Sequence, residues 1–357
     1  YLVPEVEGRT DARSWIEHHE QPALTVEGGH RSIMGLVSIS PCRKDTNPGR
    51  ESRAVRARDL LGNNAAVMIA ALVIALLFGG FPEVYPKMNK DVAMLSLMAM
   101  MSFSLCAMRL RGLKLAAHRA AFRDAFILSF GLATGITIAM AFLFTGDLRA
   151  GWVLAAAVPS AVSVIPFTLI LGGDLEGTLV SSAAMYLIAL VLTPLLTLVF
   201  IGQAVSVETL LWYVGLLIAV PVLISRGLRM ANISPYARSA VINIAFGVLV
   251  IAVAGANRSV FFGEPGLLAA LVAVAAVKTF GVGIAVERYG RRRGAAWERR
   301  VPAVLFATHK NTGMAAALAM ALLGPEAAVP ATVCMTVDIA WLIYVSRFTF
   351  SRSKRPE

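Results

Sequence analysis

FATHKNTGMAAALAM, residues 306–320, decides how this chain is read. It lies within a long apolar run, yet Thr308, His309, Lys310, Asn311 and Thr312 follow one another without interruption, and Gly313 comes next. Five consecutive polar residues point to every side of a helix, so they cannot share one protected face. A lysine at bilayer depth costs several kcal/mol or more. A simple lipid-facing helix is therefore a poor reading. The pattern predicts a helix that unwinds at 310–313 and faces a polar cavity.

The composition places that stretch in a membrane. The chain is 57% hydrophobic and 15% charged, where soluble domains carry about 25% charge. From about position 64 onward the apolar residues fall into runs of about 20, the length that crosses a bilayer. We place ten spans, near 64–82, 91–108, 122–145, 150–171, 176–202, 207–225, 238–256, 264–286, 300–323 and 327–348. Residues 1–59 differ in kind: they are polar, lack any period and read as a flexible cytoplasmic extension. Residues 60–350 form the membrane domain and 351–357 a short tail. No short basic start followed by an apolar core opens the chain, so no signal peptide is expected.

Charge sets the orientation. Alternate connections carry 22 basic residues, from Arg50 before the first span to Arg355 after the last. The opposite connections carry only Lys87, Lys90, Arg149 and Arg258. Basic residues collect on the cytoplasmic side, so both termini are expected in the cytoplasm of a multi-pass inner (plasma) membrane protein. The same placement explains the net charge of +11 through topology and lipid contact, and argues against nucleic acid as a partner. Cys42, Cys106 and Cys334 have no paired or metal-type spacing, and His18, His19 and His30 have no second ligand set. No metal site or cofactor is expected. There is no nucleotide-binding loop and no nucleophile–base or paired-carboxylate pattern in the spans, so an enzyme is not expected.

Ten spans divide into five and five. An odd number per repeat inverts the second half, and spans 4 and 9 then correspond. Span 4 reads AAVPSAVSVIPFTLILGGD (156–174), where Pro159 and Pro166 each remove a backbone donor. Ser160, Ser163 and Thr168 can cap the freed carbonyls or face a ligand. Interrupted helices at equivalent places of two inverted halves point to a transporter's midplane site.

At these helices the chain resembles the bile acid:sodium symporter family in its broad bacterial sense. Three stretches carry the likeness: LMAMMSFSLCAM (97–108), VPSAVSVIPFTLILGGD running into LEGTLVSSAAMYLIALVLTPLL (158–196), and HKNTGMAAALA (309–319). The resemblance implies an all-α fold of ten helices in two inverted five-helix repeats. Helices 4 and 9 would cross where they unwind, with a core and a panel domain and sodium sites beside the crossing. By the resemblance, Thr178 and Ser182 stand at hydroxyl positions used for one sodium ion, and Thr168 and Asn311 at polar positions near the crossing. The family's acidic sodium ligand, however, falls on Phe306, and its glutamine falls on Lys310. Val164 and Ile165 stand where its Ser-Asn pair is expected, with Ser163 alongside.

Replacing a carboxylate by Phe and an amide by a cation reverses the local sign. Lys310 is thus expected to stand in for sodium, as a permanent charge or as a proton carrier, and to favour an anionic substrate. His309, a candidate binding residue, is expected to be a packed, neutral donor, with a proton-active group near neutral pH as the alternative. Asp338 in span 10 needs a basic partner, with Lys310 and Lys278 as the candidates; Lys278 could otherwise snorkel to the surface. Asn243 and Tyr186 read as helix glue. The leading expectation is a secondary transporter of a small organic anion, working by alternating access and coupled to protons or to no ion. A sodium-coupled carrier with a degenerate ion site is the first alternative, and a transport-inactive receptor or scaffold on the same fold the second.

Overall fold

The computed structural model describes residues 64–82, 88–106, 116–202, 206–231 and 233–351. The N-terminal extension, the three histidines within it, Cys42, the end of the tail and several basic connections, including Lys87, Arg109, Arg111 and Lys114, lie outside these. Every regular element among the described residues is helical; the sole bridge is the isolated pair Ser160 with Lys310.

In chain order the helices are α1 (Asn64–Phe78), α2 (Met88–Cys106), α3 (Arg119–Ala141), α4 (Gly146–Ala157), α5 (Val164–Ile170), α6 (Leu175–Ile201), α7 (Val207–Met230), α8 (Pro235–Ala256), the short α9 (Arg258–Gly263), α10 (Pro265–Arg292), α11 (Trp297–Thr308), α12 (Thr312–Leu322) and α13 (Pro325–Thr349). Six of them, α3, α6, α7, α8, α10 and α13, are long and apolar enough to cross a membrane. Their outer surfaces fit that solvent. On α6, Leu187, Val191, Leu195 and Val199 recur every four residues and are each more than half exposed. Such a stripe on a water-soluble chain would be an aggregation surface; in lipid it is the ordinary outer face of a span. The fold is that of a polytopic, all-helical membrane protein.

The helices fall into two sets, which also touch where α6 meets α7 and where α8 meets α13. Helices α1, α2, α7 and α8 pack on one another, and Lys90 Nζ ties α2 to α7 by donating to the Tyr213 hydroxyl at 2.6 Å. The other long helices gather around α4, α5, α11 and α12. Helix α12 joins the sets, touching α2, α7 and α8 on one side and α4 and α13 on the other. It is apolar all round and buried from Thr312 to Met320, as a helix enclosed by protein must be. Glycine permits two of the closest approaches. A Cβ on Gly151 of α4 would run into the Ala327 carbonyl of α13, and one on Gly283 of α10 would run into the Trp341 ring.

Both interrupted stretches are broken, at slightly different places from those expected. The first break runs over 158–163. Pro159 disfavours helical backbone in the residue before it, and Val158 is accordingly extended, at φ −70° and ψ 155°, which ends α4 at Ala157. Pro166 breaks nothing: it lies in the first turn of α5, where a missing N–H is tolerated. The second break covers 309–311 rather than 310–313. Asn311 caps α12, its side chain accepting from Met314 N at 3.1 Å, so Thr312 and Gly313 are already helical. Asn is among the strongest N-capping residues, which is why the helix restarts there and not after the glycine.

Candidate functional site

The two breaks lie against each other. Asn311 N donates to Pro159 O at 2.8 Å and Ala161 N donates to His309 O at 3.1 Å, which makes Ser160 and Lys310 an antiparallel pair. Buried backbone left by two unwound helices must find partners, and here each break serves the other. Four half-helix ends meet at this point: the C-termini of α4 and α11 and the N-termini of α5 and α12.

The Lys310 side chain closes the α4 end. Its ammonium donates to Val158 O at 3.0 Å and to Thr134 Oγ1 of α3 at 2.9 Å, and lies 4.4 Å from the centre of the Phe130 ring. Thr134 Oγ1 bonds to Ala156 O at 2.8 Å, and Thr193 Oγ1 of α6 donates to Ala157 O at 2.8 Å. Three successive carbonyls of the cut helix are therefore each met by a side chain from a different element. The C-terminal end of a helix is its negative end, so a cation is stabilised there, and the aromatic face adds to that. Lys310 is 2% exposed, and its nitrogen is met by protein groups.

Asn311 does two things at once. Its oxygen caps α12, while Nδ2 donates to the Tyr186 hydroxyl at 3.0 Å and lies 3.9 Å from Met101 Sδ. Tyr186, expected as glue between helices, thus belongs to the crossing. His309 follows α11. Its Nδ1 is 2.9 Å from Thr308 Oγ1, and its buried Nε2 has no partner. Thr308 Oγ1 in turn donates to Val304 O and accepts from Trp341 Nε1 at 3.1 Å. Ser160 is fully buried with its hydroxyl unpartnered.

The remaining sequence candidates are placed as follows. Ser163 is half-buried at the start of α5 and caps nothing. Thr168 Oγ1 returns to Val164 O at 2.8 Å, and Thr178 Oγ1 to Asp174 O at 2.6 Å; both satisfy their own helices. Ser182 on α6 is fully buried with an unpartnered hydroxyl. Thr312 is buried in the first turn of α12.

Asp338 does not pair with Lys310. It faces Lys278, with Asp338 Oδ1 3.6 Å from Lys278 Nζ and accepting from Thr279 Oγ1 at 3.0 Å. Lys278 is 2% exposed, so it does not snorkel. At 3.6 Å the pair is an ion contact and not a hydrogen bond, and Lys278 Nζ has no acceptor. Lys278 and Thr279 lie on a π-helical turn of α10, Val277–Gly281, and α3 has a π segment at Ile127–Ala133, just before Thr134. Such turns are rare and collect at functional sites.

Sequence reasoning missed Thr134, Phe130, Thr193 and Trp341. Hydroxyls are common in membrane helices as local caps, so nothing in the sequence marks these ones out. Among the described residues no group of three or more metal-ligating side chains occurs. No family model matches the chain, and no curated protein is similar to it.

Proposed function

We propose that this protein is a secondary transporter of a small organic anion that works by alternating access. In this reading it has ten membrane spans in two inverted repeats, arranged as in the bile acid:sodium symporters that its sequence resembles. Spans 4 and 9 are α4 with α5 and α11 with α12; spans 3 and 8 are α3 and α10. Both members of the first pair are broken, and both members of the second carry a π turn. Helices α1, α2, α7 and α8 form a panel against which the rest would move, and both termini face the cytoplasm.

One observation carries the functional reading. The Lys310 ammonium occupies the C-terminal end of α4 at the crossing, a position suited to a cation, and is held by a carbonyl, a hydroxyl and an aromatic ring. A fixed ammonium there supplies the positive charge that a coupling sodium ion would otherwise bring. It favours an anionic substrate near the crossing, with coupling to protons or to no ion. The sodium-coupled alternative draws on Ser182, whose buried hydroxyl has no protein partner.

The test is uptake of a panel of small carboxylates into proteoliposomes by wild type and Lys310→Met. Two unit charges about 4 Å apart at an effective dielectric near 20 attract by about 4 kcal/mol, so uptake should fall by a factor of hundreds. Unchanged uptake by a folded variant would refute the role of Lys310.

A further inference from the structure

We infer that the groove between the arginine-rich end of α10 and the aromatic end of α13 binds the headgroup of an anionic phospholipid. One wall is the α10 stripe Ile284, Arg288 and Arg291, spaced i, i+4, i+7 so that all three share a face. The other wall is the α13 stripe Trp341, Tyr344 and Phe348, spaced i, i+3, i+7. Between them lies a cavity of about 180 Å³, roomy enough for a phosphate and its ester arm but not for a whole lipid.

The aromatic wall grades from protein to membrane. Trp341 is fully buried, Tyr344 stacks on it with centroids 5.5 Å apart, and Phe348 follows at 5.4 Å and is 59% exposed. A free phosphate would leave that wall unused, whereas a lipid can lay its glycerol and upper chains along it. Aromatic residues at a bundle end are typical of the level where headgroups begin.

The other wall is positive in net effect. Glu287, the acid on the same face, is neutralised from behind by Arg300, whose Nη1 lies 2.9 Å from Glu287 Oε1, with both side chains little exposed. Arg291 reaches that carboxylate only at 4.0 Å, and Arg288 makes no ion pair among the described residues. Both arginines are exposed and within reach of a phosphate in the groove. A basic pocket between spans at the basic end of a membrane protein suits an anionic headgroup. The site depends on the membrane reading and not on transport, so the two can fail separately.

The groove also reaches the crossing. Trp341, the inner end of its aromatic wall, donates to Thr308 Oγ1, which bonds to His309.

The experiment is native mass spectrometry of the whole protein released from mixed micelles of phosphatidylglycerol and phosphatidylcholine. Wild type should retain phosphatidylglycerol selectively. Each surface arginine contributes about 1 kcal/mol to anionic-lipid contact, so Arg288→Gln with Arg291→Gln should weaken retention about 30-fold. Arg292→Gln with Arg293→Gln, in the same connection but outside the groove, should change it far less. A second measurement needs no variant: phosphatidylglycerol, and not phosphatidylcholine, should raise the unfolding temperature of wild type. Equal retention of the two lipids, equal loss in the two double variants, or displacement of phosphatidylglycerol by millimolar inorganic phosphate would each overturn the inference, the last by showing a free-phosphate site.

Discussion

Removing one charge of the Lys278–Asp338 pair should harm the protein more than removing both. The pair is buried, with side chains 3% and 9% exposed. Truncating one partner of a buried pair leaves an uncompensated charge and costs about 3–5 kcal/mol, whereas an apolar or neutral replacement of both is close to neutral. The geometry further orders the two single variants. In Asp338→Asn the Lys278 ammonium loses its one counter-charge among the described residues and already has no hydrogen-bond acceptor there. In Lys278→Met the Asp338 carboxylate keeps the Thr279 hydroxyl at 3.0 Å, and bonds to charged groups are worth about 1.5–3 kcal/mol each. Asp338→Asn should therefore be the worse single variant, Lys278→Met milder, and the double variant nearest to wild type. Thermal unfolding in one detergent gives the readout. At 2–4 °C per kcal/mol for mid-sized proteins, the worst variant should fall by on the order of 10 °C. If the double variant falls by the sum of the two single losses, the groups are not a pair and the geometry is wrong.

Two further outcomes follow from the packing at the crossing. Gly151→Val puts a side chain into the Ala327 carbonyl, and backbone on both sides prevents relief. It should cost about 1–3 kcal/mol or more, seen as a lower unfolding temperature, while Gly135→Ala, with open space around it, should be harmless. Asn311→Ala removes the cap of α12, worth about 1 kcal/mol, and also frees the Tyr186 hydroxyl. Its loss of stability should exceed that of Tyr186→Phe, measured in the same unfolding assay.

The two breaks were legible because they rest on local chemistry. Pro159 disfavours helix at Val158, and polar residues at 308–312 cannot share a face. The exact register was less legible: capping by Asn311 competes with the freedom of Gly313, and the cap wins because it satisfies a backbone donor inside the bundle. Partners drawn from distant helices were not legible. Lys310 could be read as buried, but its contacts come from α3 and from the end of α4, and they depend on how those helices cross. Asp338 called for a cation, yet two lysines qualified, and only the packing of α10 on α13 selects Lys278. The outer faces could be read only as apolar, since a stripe such as Leu187 to Val199 looks the same whether it meets lipid or protein.

The central claim is that Lys310 takes the place of a coupling cation, and ion dependence tests it most directly. Uptake of small carboxylates by the wild-type protein in proteoliposomes should be compared under a sodium gradient, under a proton gradient and with neither. Uptake should be indifferent to sodium, with or without stimulation by protons. Strong sodium dependence would contradict it and would place a working ion site elsewhere, with the unpartnered Ser182 hydroxyl of α6 the first position to examine.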